Sequence, residues 1–226
     1  MRKTVSFFAL TAMATSLFAA SREDATKRLD EAATVFSEIT AAPDKGISQD
    51  LLERAHCVVI VPGMKKGAFI VGAEYGKGFV TCRNSAGPGW SAPAAIKVEG
   101  GSVGFQIGGA ETDVVMLVMN ERGAQKLMES QFTLGGEGEV AAGPVGRDAT
   151  AQTDAKFHAE ILSWSRTRGV FAGISLKGAT LRKDEDENQA LYGKKMDTKE
   201  VVNGHMEPTG AGRRLTDMLS KYSFRG

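Results

Sequence analysis

Apolar residues recur at three- and four-residue steps between positions 22 and 40, at Ala25, Leu29, Ala32, Ala33, Phe36 and Ile39. That period predicts a helix with one buried face. Pro43, Asp44 and Gly46 supply its stop signal. Ser48 then reads as the N-cap of a short helix carrying Leu51, Leu52 and Ala55. From Cys57 the period changes. Cys57-Val58-Val59-Ile60-Val61 is a continuous apolar run closed by Pro62-Gly63, the pattern of a buried strand. Residues 68–75 and 79–83 flank Gly76-Lys77-Gly78, which predicts a hairpin turn there. Residues 84–89 form a turn cluster, and strands are expected at 90–98, 103–109 and 114–119. Asn120 can cap a short helix with Ala124, Leu127 and Met128 on its inner side. A glycine-rich loop with a short strand follows at 135–146, and a last strand pair at 160–165 and 170–181 encloses a turn at 166–169. Leu215, Met218, Leu219 and Tyr222 share one face of a final helix. Many short strands with helices mainly at the two ends predict an α+β fold, with an antiparallel sheet curled toward a barrel.

The extreme N-terminus breaks this pattern. Arg2 and Lys3 precede an uncharged stretch from 4 to 20 rich in Phe, Ala, Leu and Val, and small residues follow at Ala19-Ala20-Ser21. This arrangement predicts a secretory signal peptide, residues 1–20, and hence an exported protein, periplasmic or extracellular. The run is shorter than the ~20 apolar residues a membrane span needs. The rest divides into a domain at 21–193 and a C-terminal extension at 194–226 whose helix packs on it. With Arg2 and Lys3 removed, 26 basic residues face 27 acidic ones, a formal charge of −1. Such a balance excludes a polyanion binder that works by bulk charge, so no nucleic-acid partner is expected. The 27 glycines, roughly 12% where about 7% is usual, point to tight turns and closely approaching strands.

Catalytic and metal motifs fail on spacing. His56, His158 and His205 form no paired metal arrangement. The Gly173–Gly178 interval is one residue too long for a nucleophile elbow, and Gly76-Lys77-Gly78 lacks the Ser or Thr of a phosphate loop. Asp184-Glu185-Asp186-Glu187-Asn188 opens like a calcium loop, but Gln189 and Lys195 stand where Gly and Glu are required. The run reads better as the solvated start of a helix. No cofactor and no metal is implied. Cys57 and Cys82, the only two cysteines, both fall in expected strands. An exported chain permits a bridge between them, the alternative being two buried thiols.

Read in order, a set of motifs is familiar: Gly89-Trp90-Ser91-Ala92-Pro93, Gly104-Phe105-Gln106-Ile107-Gly108 with Thr112-Asp113, Leu134-Gly135-Gly136, and Ala142-Gly143-Pro144-Val145-Gly146-Arg147. Trp164-Ser165-Arg166-Thr167-Arg168-Gly169-Val170-Phe171-Ala172-Gly173 follows, and Asn188 with Leu191-Tyr192-Gly193 closes the series. In order and spacing the chain resembles the SYLF-domain family of lipid-binding and actin-regulating proteins, in its exported bacterial branch. The resemblance implies a non-catalytic binding module. Eukaryotic members bind phosphoinositide-containing membranes, partly through an amphipathic N-terminal helix, and some bind and bundle actin. An exported bacterial protein meets no cytosolic actin, so the implied partner is an anionic lipid headgroup or membrane surface. The alternative is a structural protein of the envelope that binds another protein.

The residues themselves qualify that expectation. The 22–40 helix carries Arg22, Lys27 and Arg28 against Glu23, Asp24, Asp30, Glu31 and Glu38, whereas a helix that seeks anionic lipid has a basic polar face. Packing against the sheet is the role this composition favours. Candidate headgroup ligands are therefore Lys65 and Lys66 after Pro62-Gly63, together with Arg147, Arg166 and Arg168. The alternative role of the arginines is to cap strand ends or to pair with acids such as Asp113 and Asp148.

Overall fold

The structure is a computed structural model that describes residues 5–42, 46–68, 72–84, 87–102, 108–145, 159–167, 169–208 and 210–223. Side chains are described from residue 21 onward, except at 68, 72, 102, 108 and 109.

The periodic N-terminal stretch forms helix α1, Val5–Ala41, which also takes in the apolar stretch before residue 21. No helix among the described residues is long and apolar enough to cross a membrane. The expected face of α1 is the buried one: Ala25, Leu29, Ala32, Ala33, Phe36 and Ile39 are all at most 1% exposed. A short helix α2, Gln49–Arg54, follows with Ser48 at its N-cap.

Four long strands then form the centre of the sheet: β1 (Cys57–Ala68), β2 (Gly72–Cys82), β3 (Ala94–Ser102) and β4 (Gly108–Val118). After helix α3 (Glu121–Leu127) come β5 (Gln131–Thr133), β6 (Val140–Ala142), β7 (Ile161–Thr167), β8 (Val170–Gly173) and β9 (Thr180–Lys183). Helices α4 (Glu185–Tyr192), α5 (Thr198–Asn203) and α6 (Gly210–Tyr222) complete the described chain. The sheet runs β5-β9-β3-β2-β1-β4-β7-β6, with β8 also on β7. It is strongly curled, an α+β half-barrel with helices at both ends. Among the described residues every strand pair is antiparallel except β6–β7, which makes the sheet mixed where an antiparallel one was expected.

Both faces of the sheet are covered, which is why Cys57–Val61 reads as an unbroken apolar run. Val58, Ile60, Phe79, Val115, Leu117 and Trp164 pack beneath α1, α2 and α6. Val59, Val61, Val80, Val98, Met116 and Phe132 pack on the opposite side with Leu134, Leu181 and Val201. Cys57 and Cys82 sit directly opposite each other on β1 and β2 and are joined by a disulfide.

Two turn expectations are corrected. Pro62-Gly63 does not end β1. The strand continues to Ala68 through a bulge, where its register with β4 shifts between Val61 and Met64. Gly63 takes φ +58°, the left-handed conformation that favours glycine. Likewise Gly76-Lys77-Gly78 is no hairpin but the middle of β2, paired to Val98, Lys97 and Ile96 of β3. The glycines serve close approach: a Cβ on Gly78 would lie 2.2 Å from the Ile60 carbonyl oxygen. One on Gly76 would lie 2.6 Å from Val61 Cγ1, against the same bulged strand. Sequence pattern cannot separate this use of glycine from a turn. At the expected α3, Asn120 does cap the helix, its Oδ1 accepting from Gly123 N–H at 2.8 Å.

Candidate functional site

Directly paired residues share a face of the sheet, as do residues two apart on one strand. Lys65 pairs with Glu111, and Asp113 with Arg166. Lys65, Glu111, Asp113 and Arg166 therefore all point to the α1 side. Lys65 is exposed, while Lys66 turns to the opposite face and pairs with Glu74 at 3.3 Å. Arg166 Nε donates to Asp113 Oδ2 at 2.7 Å, and its guanidinium also pairs with Glu38 of α1 and lies 5.8 Å from the Phe171 ring. Arg147 and Arg168 lie outside the described residues. Lys65 and Arg166 are thus brought to one face, but with two carboxylates between them.

Those carboxylates border a groove of about 880 Å³ that runs along α1 beside the β1 bulge. Glu23, Lys27, Asp30, Glu31 and Thr34 line it from the helix, Pro62 and Gly63 from the bulge, and Glu111, Asp113 and Arg166 from β4 and β7. The bulge shapes the corner. Gly63 N–H donates to Asp113 Oδ1 at 2.9 Å, and a Cβ on Gly63 would fall 2.7 Å from Glu111 Oε1. Burial pushes the Asp113 carboxyl above its ordinary pKa; the Gly63 hydrogen bond works against that shift and the neighbouring Glu111 adds to it. The lining carries five carboxylates, Glu23, Asp30, Glu31, Glu111 and Asp113, against Arg22, Lys27 and Arg166. Its sign is opposite to that of an anion site.

A second ionic cluster lies at the start of α4, and it corrects the expectation that the Asp184–Asn188 run is solvated. Asp184 caps the helix as expected, accepting from Glu187 N–H at 3.3 Å, but Asp184 and Glu187 are only 1% and 5% exposed and Asn188 is fully buried. Lys77 of β2 reaches Asp184 at 2.9 Å and Glu187 at 2.8 Å. Lys97 of β3 approaches Asp184 at 3.4 Å, and Arg28 of α1 pairs with Glu187. Burial alone would lower the Lys77 pKa; hydrogen bonds to Glu187 and Asp184 override it and leave the ammonium raised. Asn188 accepts from Ala95 N–H at 2.7 Å and donates to the Met196 carbonyl at 3.1 Å, so α4 is fastened to the start of β3 and to the chain that follows the helix. These groups hold α1, α4 and the sheet together.

Sequence reading missed Glu111 and Glu38 as site residues and the burial of Asp184 and Glu187. A usable signal existed for the first: Glu111-x-Asp113 continues the alternation of β4 outward from its apolar half, so both must share a face. Among the described residues no group of three His, Cys, Asp or Glu is placed to hold a metal ion.

A family model described as Ysc84, Las17-binding protein actin regulator, matches residues 99–222. The chain belongs to the Ysc84 family. An SH3 domain-containing protein of Schizosaccharomyces pombe is 34% identical over 188 residues, covering 82% of this chain and 43% of the relative. The SH3 domain-containing YSC84-like protein 1 of Rattus norvegicus is 31% identical over 191 residues, covering 83% and 56%. The LAS seventeen-binding protein 3 of Saccharomyces cerevisiae is 32% identical over 184 residues, covering 80% and 40%. The chain spans about half the length of the curated relatives it matches. The Ysc84-type region is thus shared with proteins that carry further sequence of their own.

Proposed function

We propose that this Ysc84-family chain is a non-catalytic, protein-binding module that works outside the cytoplasm, at the cell envelope. The observation that carries the reading is the groove between α1 and the β1 bulge, whose lining has more carboxylates than cations. Arg166, the described arginine expected to meet a headgroup, is engaged by Glu38 and Asp113. An anionic lipid surface would be repelled from this face, whereas a protein segment can match it. The name of the yeast relative, a LAS seventeen-binding protein, supports a protein partner for that relative and, by similarity, for this chain. Export is supported by the Arg2-Lys3 start and apolar run, and by the Cys57–Cys82 disulfide, which persists in oxidising compartments.

One feature favours the lipid reading. Lys65 is exposed directly opposite Tyr75, itself 46% exposed, near the outer ends of β1 and β2. The chain between these ends reads Phe69-Ile70-Val71. Lysine beside an aromatic residue is a pairing found at membrane interfaces. Two assays separate the readings. Photo-crosslinking from α1 in intact cells is expected to yield a discrete protein adduct, while the purified chain stays in the supernatant with phosphatidylglycerol vesicles. Sedimentation with those vesicles and no adduct would overturn the protein-binding reading and leave Lys65 and Tyr75 as the surface to mutate. Recovery of the adduct from the cytoplasm with Met1 intact would overturn export.

A further inference from the structure

We infer that the groove between α1 and the Pro62-Gly63 bulge receives an extended partner segment bearing lysine or arginine; this rests on the protein-binding reading. Arg166 is held between Glu38 and Asp113, and Asp30 reaches Arg214 of α6 at 3.5 Å. Glu31 and Glu111 face the groove, are exposed, and have no ion partner among the described residues. In the buried cluster at α4, by contrast, each carboxylate has two cations. Of the two clusters, the groove is the one that leaves carboxylates without an ion partner, its lining carrying five carboxylates against three cations.

Its shape suits a long basic side chain. Thr26 and Thr34 of α1 line one side, over Val35 and Pro62, which are themselves buried, and Glu31 and Glu111 bring exposed carboxylates to the groove. A lysine or arginine can lay its methylene stem along that side and bring its charged head to Glu31 or Glu111. A groove of about 880 Å³ exceeds the needs of one side chain and accommodates several residues. The floor is also fixed. Gly63 is held by Asp113 through its N–H, and no larger residue fits there without displacing Glu111. The backbone at this corner is therefore held before a partner arrives.

The test uses the purified protein and fluorescein-labelled hexalysine, read by anisotropy at low salt, with hexaglutamate as the probe of opposite sign. Hexalysine is expected to bind, more weakly as salt rises, and hexaglutamate to bind less. The double variant Glu31→Gln/Glu111→Gln should weaken hexalysine by about three- to tenfold, the scale of losing two solvent-facing charge contacts. The control Glu129→Gln/Glu207→Gln, which removes the same charge from exposed positions outside the groove, should leave it unchanged. Equal weakening in both variants, tighter hexaglutamate, or no binding by the unaltered protein would overturn the assignment. The outcome is separable from that of the broader reading. If the in-cell adduct persists in Glu31→Gln/Glu111→Gln, the groove is wrong and the protein-binding reading stands. If vesicles replace the adduct, that reading itself falls.

Discussion

Two ionic sites beneath α1 use the same residue types for opposite ends. At α4, Asp184 and Glu187 are almost fully buried, and Lys77, Lys97 and Arg28 answer them. At the groove, the Asp113 side chain is 18% exposed and that of Glu38 47%, Arg166 alone answers both, and Glu31 and Glu111 face solvent. Taking charges out of water is costly unless partners repay it, so the closed cluster must be complete for the fold to stand. The open one carries no such requirement and can keep carboxylates in reserve. A charge run read from sequence therefore means little until its burial is known: the more acidic-looking Asp184–Asn188 run is the structural one.

The comparison can be broken at several points. The largest effect is expected from Cys57→Ser/Cys82→Ser, since a crosslink at a separation of 25 residues stabilises by about 3.5 kcal/mol in the chain-entropy model. Chemical denaturation should show that loss. Because the bridge lies at the start of β1, before the bulge, hexalysine affinity of the folded protein should not change. Next comes Glu187→Gln, which leaves Arg28 and Lys77 short of a buried partner. About 3 kcal/mol should be lost, a fall in Tm of roughly 6–12 °C, again with binding intact. A Tm within 2 °C of the unaltered protein (about 1 kcal/mol or less) would show that the cluster is not the fastening described.

Arg166→Gln tests the open site and divides the two functional readings. Its stability cost should be only about 1 kcal/mol, because the pair it breaks is part-exposed. Hexalysine should bind about two- to threefold more tightly, since Glu38 and Asp113 are released to meet it. Were Arg166 a headgroup ligand, the same variant would instead weaken sedimentation with phosphatidylglycerol vesicles. The smallest effect is on pH. Binding of a cation needs ionised carboxylates, so affinity should fall on acidification. With the Asp113 carboxyl raised, the fall should begin above its ordinary value of 3.8. A titration flat down to that value would contradict binding through the groove's carboxylates.

How much of this was legible in the sequence depended on how local the cause was. The buried face of α1, the capping role of Asn120 and the apolar face of α6 follow from spacing along one element, and the structure has them. The disulfide position needed only two cysteines and two strands. Pro62-Gly63 and Gly76-Lys77-Gly78 misled because a bulge and a close strand crossing use the same residues as a turn, and only the partner strand tells them apart. The parallel β6–β7 pair and the burial of Asp184 and Glu187 depend on contacts far apart in the chain. For the site, Arg166 has the pairing with Asp113 that stood as its alternative role, whereas Lys65 lies in β1 and not in a turn; which charges remain unanswered is a property of α1 packing across β1, β4 and β7.

The central claim is that the closed cluster is structural and the open groove is the recognition surface. Its most direct measurement is a map of backbone amide shifts in isotope-labelled protein as hexalysine is added. Signals of Thr34, Gly63, Glu111 and Asp113 are expected to move in a saturable, salt-sensitive way, while those of Lys77, Lys97, Asp184 and Asn188 stay in place. Movement confined to the second group, or spread evenly over every exposed acid, would contradict the account.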